Sequence, residues 1–122
     1  MSFQTVREAL ATALDNPTAW TVYVVNPGTV VPRSIVIEPA GTWVSPLTTG
    51  RTAVELGFTL RLAANTADNL GTLIALEDMI EDVIALLPSW AQFQGVTAPQ
   101  YDQGATGDLA TADLTISVPA TL

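Results

Sequence analysis

The sequence predicts an α+β fold: a small mixed or antiparallel β-sheet with two helices packed on it, in the order α-β-β-β-α-β-β. Three stretches carry that prediction. From Ala53 to Ala63 the chain alternates, with Val54, Leu56, Phe58, Leu60 and Leu62 on one side and Glu55, Gly57, Thr59 and Arg61 on the other. Successive strand side chains point to opposite faces, so this is a long strand with one buried and one wet face. From Asn65 to Leu87 the spacing turns helical, and from Thr111 to Val118 alternation returns with Ala112, Leu114, Ile116 and Val118 inward. The 122 residues are enough for one core, so residues 1–122 read as a single domain.

The remaining elements follow from local chemistry. Phe3, Val6, Leu10, Ala13 and Leu14 recur at helical spacing, with Ser2 or the Thr5–Glu8 pair as capping signals. Asn16-Pro17 ends that helix, because the residue before a proline avoids helical geometry. Trp20 to Val25 is β-rich and runs into the turn signal Asn26-Pro27-Gly28. Ser34 to Glu38 carries Ile35-Val36-Ile37, a short strand bracketed by Pro32 and Pro39. Ala40 to Thr52 is a long excursion, and Ala40 to Ala63 reads as a hairpin with a projecting tip.

In the second helix, Leu70, Leu73, Ile74, Ile80, Val83, Ile84 and Leu87 form the main apolar stripe. Leu76, Met79 and Leu86 widen it, and Asn65 and Asp68 suit its N-terminus. Leu87-Pro88 ends it. Trp90 to Thr97 is a weak strand around Phe93 and Val96, and Pro99 to Asp108 reads as a polar loop.

Composition narrows the function. Apolar residues make up 48% and charged residues 13%, against a globular norm of about 25% charged; mean hydropathy is +0.37. So little charge fits either a surface covered by partners or simple alanine enrichment. The net charge is −8, from 12 acids against four arginines and no lysine. Four scattered arginines make no basic patch, and an acidic surface repels phosphate backbones.

The chain has no cysteine and no histidine, which excludes disulfides, the usual zinc ligand sets, thiol nucleophiles and imidazole bases. The first residues carry no secretory signal pattern. Glu77, Asp78, Glu81 and Asp82 interrupt the longest apolar region, so no membrane span is expected. The chain reads as cytoplasmically made.

Two constellations stand out. Glu77 and Glu81 lie four apart on a helix face, as do Asp78 and Asp82. Such carboxylates can hold a divalent cation or act as an acid/base pair, but a solvated helix face is their commoner role. No nucleophile elbow or phosphate-binding loop is present, and catalysis without His, Cys or Lys would rest on carboxylates and arginine. The expectation is a non-enzyme with no catalytic, cofactor or metal site. The second constellation is Trp43 on the projecting excursion, with Val44, Leu47 and Arg51 nearby. An aromatic there either folds back on the core or anchors an interface.

Three stretches resemble the tail terminator proteins of siphophages, especially those infecting actinobacteria. The first is Val31-Pro32-Arg33-Ser34-Ile35-Val36-Ile37-Glu38-Pro39-Ala40-Gly41-Thr42-Trp43-Val44, a strand between prolines that leads into a glycine-aromatic loop. The second is the alternating strand, the polar cap Ala63-Ala64-Asn65-Thr66-Ala67-Asp68-Asn69, and Leu73 to Leu87. The third is Gly107-Asp108-Leu109-Ala110-Thr111-Ala112-Asp113-Leu114-Thr115-Ile116, a closing strand. Together they cover most of the chain, and none alone is a signature.

The resemblance implies a structural virion protein. It would form a ring, expected to be a homohexamer, at the head-proximal end of the tail. The ring would cap the tail tube protein, stop tube polymerisation and dock the head–tail connector protein. Six copies at −8 each give −48, and an acidic bore would let genomic DNA pass without counterion-release binding. Glu55, Glu77, Asp78, Glu81 and Asp82 are the candidate acidic lumen or surface residues. Trp43, Val44, Leu47 and Arg51 are the candidate ring contacts, since exposed strand edges invite strand addition. A head-completion or connector adaptor ring of the phage neck, a generic acidic protein-binding module, and a carboxylate-based hydrolase are the alternatives.

Overall fold

The computed structural model describes residues 3–16, 20–24, 33–47, 53–64, 69–104 and 107–121. The elements are α1 (Phe3–Ala13), β1 (Thr21–Tyr23), β2 (Ser34–Pro46), β3 (Ala53–Ala64), α2 (Asn69–Leu86), β4 (Gln92–Val96), β5 (Gln100–Gly104) and β6 (Gly107–Thr121). Six strands form one mixed sheet in the order β1-β2-β3-β6-β4, with β5 also paired to β6. The fold is therefore α+β, two helices packed on a sheet, as the periodicities predict.

The centre of the sheet is the β3–β6 pair, antiparallel and in unbroken register from Ala53↔Thr121 to Ala64↔Ala110. One face of this pair carries Val54, Leu56, Phe58, Leu60, Leu62, Leu114, Ile116 and Val118, all buried. The helices cover that face. Val6, Leu10 and Leu14 from the α1 region join the same core as Leu76, Met79 and Val83 of α2. The first helix ends where Leu14 N–H donates to Leu10 O at 2.9 Å. The buried Trp20 indole N–H then donates to Leu14 O at 2.7 Å, satisfying a carbonyl that the helix end leaves over.

Four expectations are corrected. A sixth strand, β5, lies within the segment read as a polar loop, and β6 begins at Gly107 rather than Thr111. The pairing of Gln100 to Gly104 with Gly107 to Thr111 is a backbone ladder. Its polar residues give no alternation to detect. Next, Pro39 sits inside β2 rather than ending it. The ladder to β1 stops at Tyr23↔Val36, and the ladder to β3 is interrupted just after Pro39, so its missing N–H falls where pairing is already breaking.

The buried face of α2 is centred on Thr72, Leu76, Met79 and Val83, whereas Ile74 and Ile84 are exposed. That helix is apolar on most of its circumference, so spacing alone does not choose which flank meets the sheet. Lastly, the first strand is only three residues long, and it runs parallel to β2.

Candidate functional site

Beyond Pro39, β2 bulges away from β3 and then rejoins it, and this second half forms an arm along the outer edge. Pro39 pairs with Phe58 and Val44 pairs with Leu56, so Ala40 to Trp43 bulge opposite the single residue Gly57. The arm crosses close above that glycine. A Cβ at Gly57 would collide with the Thr42 carbonyl oxygen and lie 3.1 Å from the Ala40 Cβ. The bulge therefore requires a residue without a side chain beneath it. After the bulge, Val44, Ser45 and Pro46 pair again with β3, and Leu47 N–H donates to Ala53 O at 3.1 Å.

This arm carries the predicted contact residues. Trp43, Val44 and Leu47 are exposed at 40%, 41% and 48%. Trp43 combines both roles open to it: its ring stacks at 54° on Phe3 of α1, centroids 4.9 Å apart, while two-fifths of the residue faces outward. Arg51 lies outside the described residues.

The predicted acids separate into two groups. Glu77, Asp78, Glu81 and Asp82 are all exposed on the outer side of α2. Asp78 and Asp82 face a cleft of about 230 Å³ shared with Trp20, Arg33, Ala75 and Met79. Glu55 projects from the opposite face of the sheet, half-buried, beside Ser45 and Pro119 in register. The helix acids and Glu55 are thus divided by the sheet, and one surface of a lumen takes one group or the other. Among the described residues, no three acids converge in a way that could hold a metal ion.

The sheet face away from the helices is polar. Arg61 Nε donates to Asp113 Oδ1 at 3.1 Å, and Arg61 Nη2 lies 3.8 Å from Glu38 Oε2. The hydrogen bond and the two carboxylates raise the Arg61 pKa above its ordinary value, against the opposing effect of partial burial. Further along, Ser117 Oγ donates to Gln92 Oε1 at 3.3 Å and accepts from Gln94 Nε2 at 3.1 Å. Thr59, Thr115 and Ser117 floor a cleft of about 310 Å³ under the arm.

One feature was missed from sequence. Ile84, Trp90 and Phe93 are exposed where α2 turns into β4, on the sheet edge opposite the arm. Asp78 and Asp82 face the β1 side with Trp20 and Arg33. The flank carrying Ile80 and Ile84 therefore faces the β4 side, by helical spacing. Phe93 pairs with the buried Ile116, which puts it on the helix side of β4. The available signal was the absence of charge from Val83 to Tyr101.

No protein-family model matches the chain. No curated protein matches it at a significant level.

Proposed function

We propose that this protein is a phage tail terminator, a ring-forming structural protein of the virion that caps the head-proximal end of the tail tube and docks the head–tail connector. The observation that carries the reading is the arm. Trp43, Val44 and Leu47 stand exposed along the outer arm of β2, and exposed apolar residues on a sheet edge are interface material. The exposed acids of α2 add an anionic surface along which DNA passes without being held. The sequence stretches that resemble the family form β2 with its arm, β3 with α2, and β6, which together build most of the fold.

The deciding experiment is electron microscopy of a lysate from a phage carrying an early stop codon in this gene. Overlong tails, unattached to filled heads, are the expected result, because growth has lost its stop and heads have lost their dock. Tails of normal length, free beside filled heads, would move the protein to the head side of the neck. A wild-type lysate would remove it from virion assembly. Within the same reading, Trp43→Ala is expected to lower the yield of joined particles while the purified variant keeps its circular dichroism spectrum.

A further inference from the structure

We propose that copies of this chain join head to tail along the sheet, the β2 arm of one protomer docking on the α2–β4 edge of the next. The inference rests on the ring-forming reading above and adds to it the second half of the contact.

Two patches make the joint. Trp43, Val44 and Leu47 lie on one edge, and Ile84, Trp90 and Phe93 on the other, all between 39% and 48% exposed. Together they present on the order of 600 Å² of apolar surface, enough for the apolar core of a standard interface of roughly 1,600 Å². A contact between different patches on two copies is heterologous. Repeated by rotation it closes into a ring, whereas a self-complementary patch stops at a dimer.

Strand geometry fits the same joint. β2 is antiparallel to β3, β3 to β6, and β6 to β4, so β4 runs antiparallel to β2. A neighbour related by a modest rotation keeps that sense, and its arm meets β4 as an antiparallel strand would. Among the described residues, the arm beyond Pro39 has no strand paired on its outer edge, and neither does β4. Val44 and Phe93 pair with the buried Leu56 and Ile116 respectively, so these two residues lie on the helix side of their strands and come side by side when the two edges meet.

Charge selects a second copy over other partners. Two chains of −8 repel, so their contact must avoid acids. The three longest uncharged stretches are 16–32, 39–50 and 83–101. The first contains β1, the second the arm, and the third the end of α2 and β4. The described strand segments within them, β1, the arm and β4, lie at the two edges of the sheet. In the β2–β3 and β3–β6 ladders the charged residues Glu38, Glu55, Arg61 and Asp113 project from the face away from the helices. The remaining strand acids, Asp102 and Asp108, belong to the β5–β6 ladder away from β4. A basic partner would be drawn to the acids of α2 and would gain nothing from the uncharged arm and β4.

The absence of native cysteine allows a clean test. Val44→Cys and Phe93→Cys change exposed positions and are expected to keep the wild-type circular dichroism spectrum. Each single variant, and an equimolar mixture of the two, is treated with a flexible bis-maleimide at millimolar protein concentration. The expected result is a covalent dimer in the mixture, none in either variant alone, and a ladder of oligomers from the double variant. A dimer from Val44→Cys alone would mean that arms meet arms, and no dimer in the mixture would mean that these edges do not meet. Either outcome overturns the proposal. Because the readout uses purified protein, overlong tails from the stop-codon phage combined with no mixed dimer would leave the terminator reading standing and reject this interface alone.

Discussion

The centre of the sheet and its rim follow opposite rules. In β3 and β6, twelve consecutive pairs keep register, and every second residue is buried under the helices. At the rim, the β2 ladder is interrupted by a bulge, β1 contributes three residues, and large apolar side chains stand exposed on both edges. The centre uses its apolar residues for folding. The rim holds them in excess of what the core consumes, which separates the residues that make the protomer from those available to join it to others.

The sharpest way to break that contrast is to truncate one apolar side chain in each region. Leu56 is fully buried between β2 and β6, and Leu56→Ala is expected to cost about 3–5 kcal/mol in urea denaturation. Leu47→Ala on the arm is expected to stay within about 0.5 kcal/mol of wild type. Equal losses at the two sites would show that the arm is part of the core, and the distinction would fall.

The next effect lies at the boundary between the regions. Gly57→Val places branched carbon where the Thr42 carbonyl and Ala40 already sit. Either the arm lifts or the strand shifts, at about 1–3 kcal/mol, as for other overpacked sites. Lifting the arm also separates Trp43 from Phe3, so a change in tryptophan fluorescence should accompany the loss. A stability loss with unchanged fluorescence would place the strain in β3 instead.

The same division decides how much could be read from the sequence. β3 and the inner part of β6 are legible because one face is apolar and the other polar, and a period of two has one interpretation. The hairpin of β2 and β3 follows from the strand signals on either side of a Thr-rich tip that holds Gly50. β5 is not legible, since Gln100 to Gly104 is held by backbone pairing with β6 and its polar residues carry no pattern. The orientation of α2 is not legible either. With Leu73, Ile74, Ile80 and Ile84 competing against Leu76, Met79 and Val83, the position of the sheet decides which set is buried.

For the candidate site, Trp43, Val44 and Leu47 are readable as contact candidates because the excursion holding them lies between two strong strands, but whether Trp43 folds back or faces outward is not, and it does both. Ile84, Trp90 and Phe93 are not, because each belongs to a segment whose apolar residues could equally face inward. That Glu55 and the α2 acids occupy opposite sides of the sheet depends on which face the helices cover, a fact of packing that spacing does not contain.

The smallest effect tests the polar side of the centre. Arg61 and Asp113 are direct cross-strand partners, but their side chains are 42% and 36% exposed, so solvent screening leaves the pair only about 0.5 kcal/mol. Arg61→Gln is therefore expected to lower stability by about that amount, with the gap to wild type narrowing at 1 M salt as screening removes the charge contribution. Arg61 also lies beside Val36, which is buried on this open face although no helix covers it. If Arg61→Gln costs as much as a core truncation and salt leaves the gap unchanged, the arginine acts mainly by laying its aliphatic stem over Val36. Arg61→Met should then restore the loss. That result would move the boundary between centre and rim, because the face away from the helices would count as a second, thinner core.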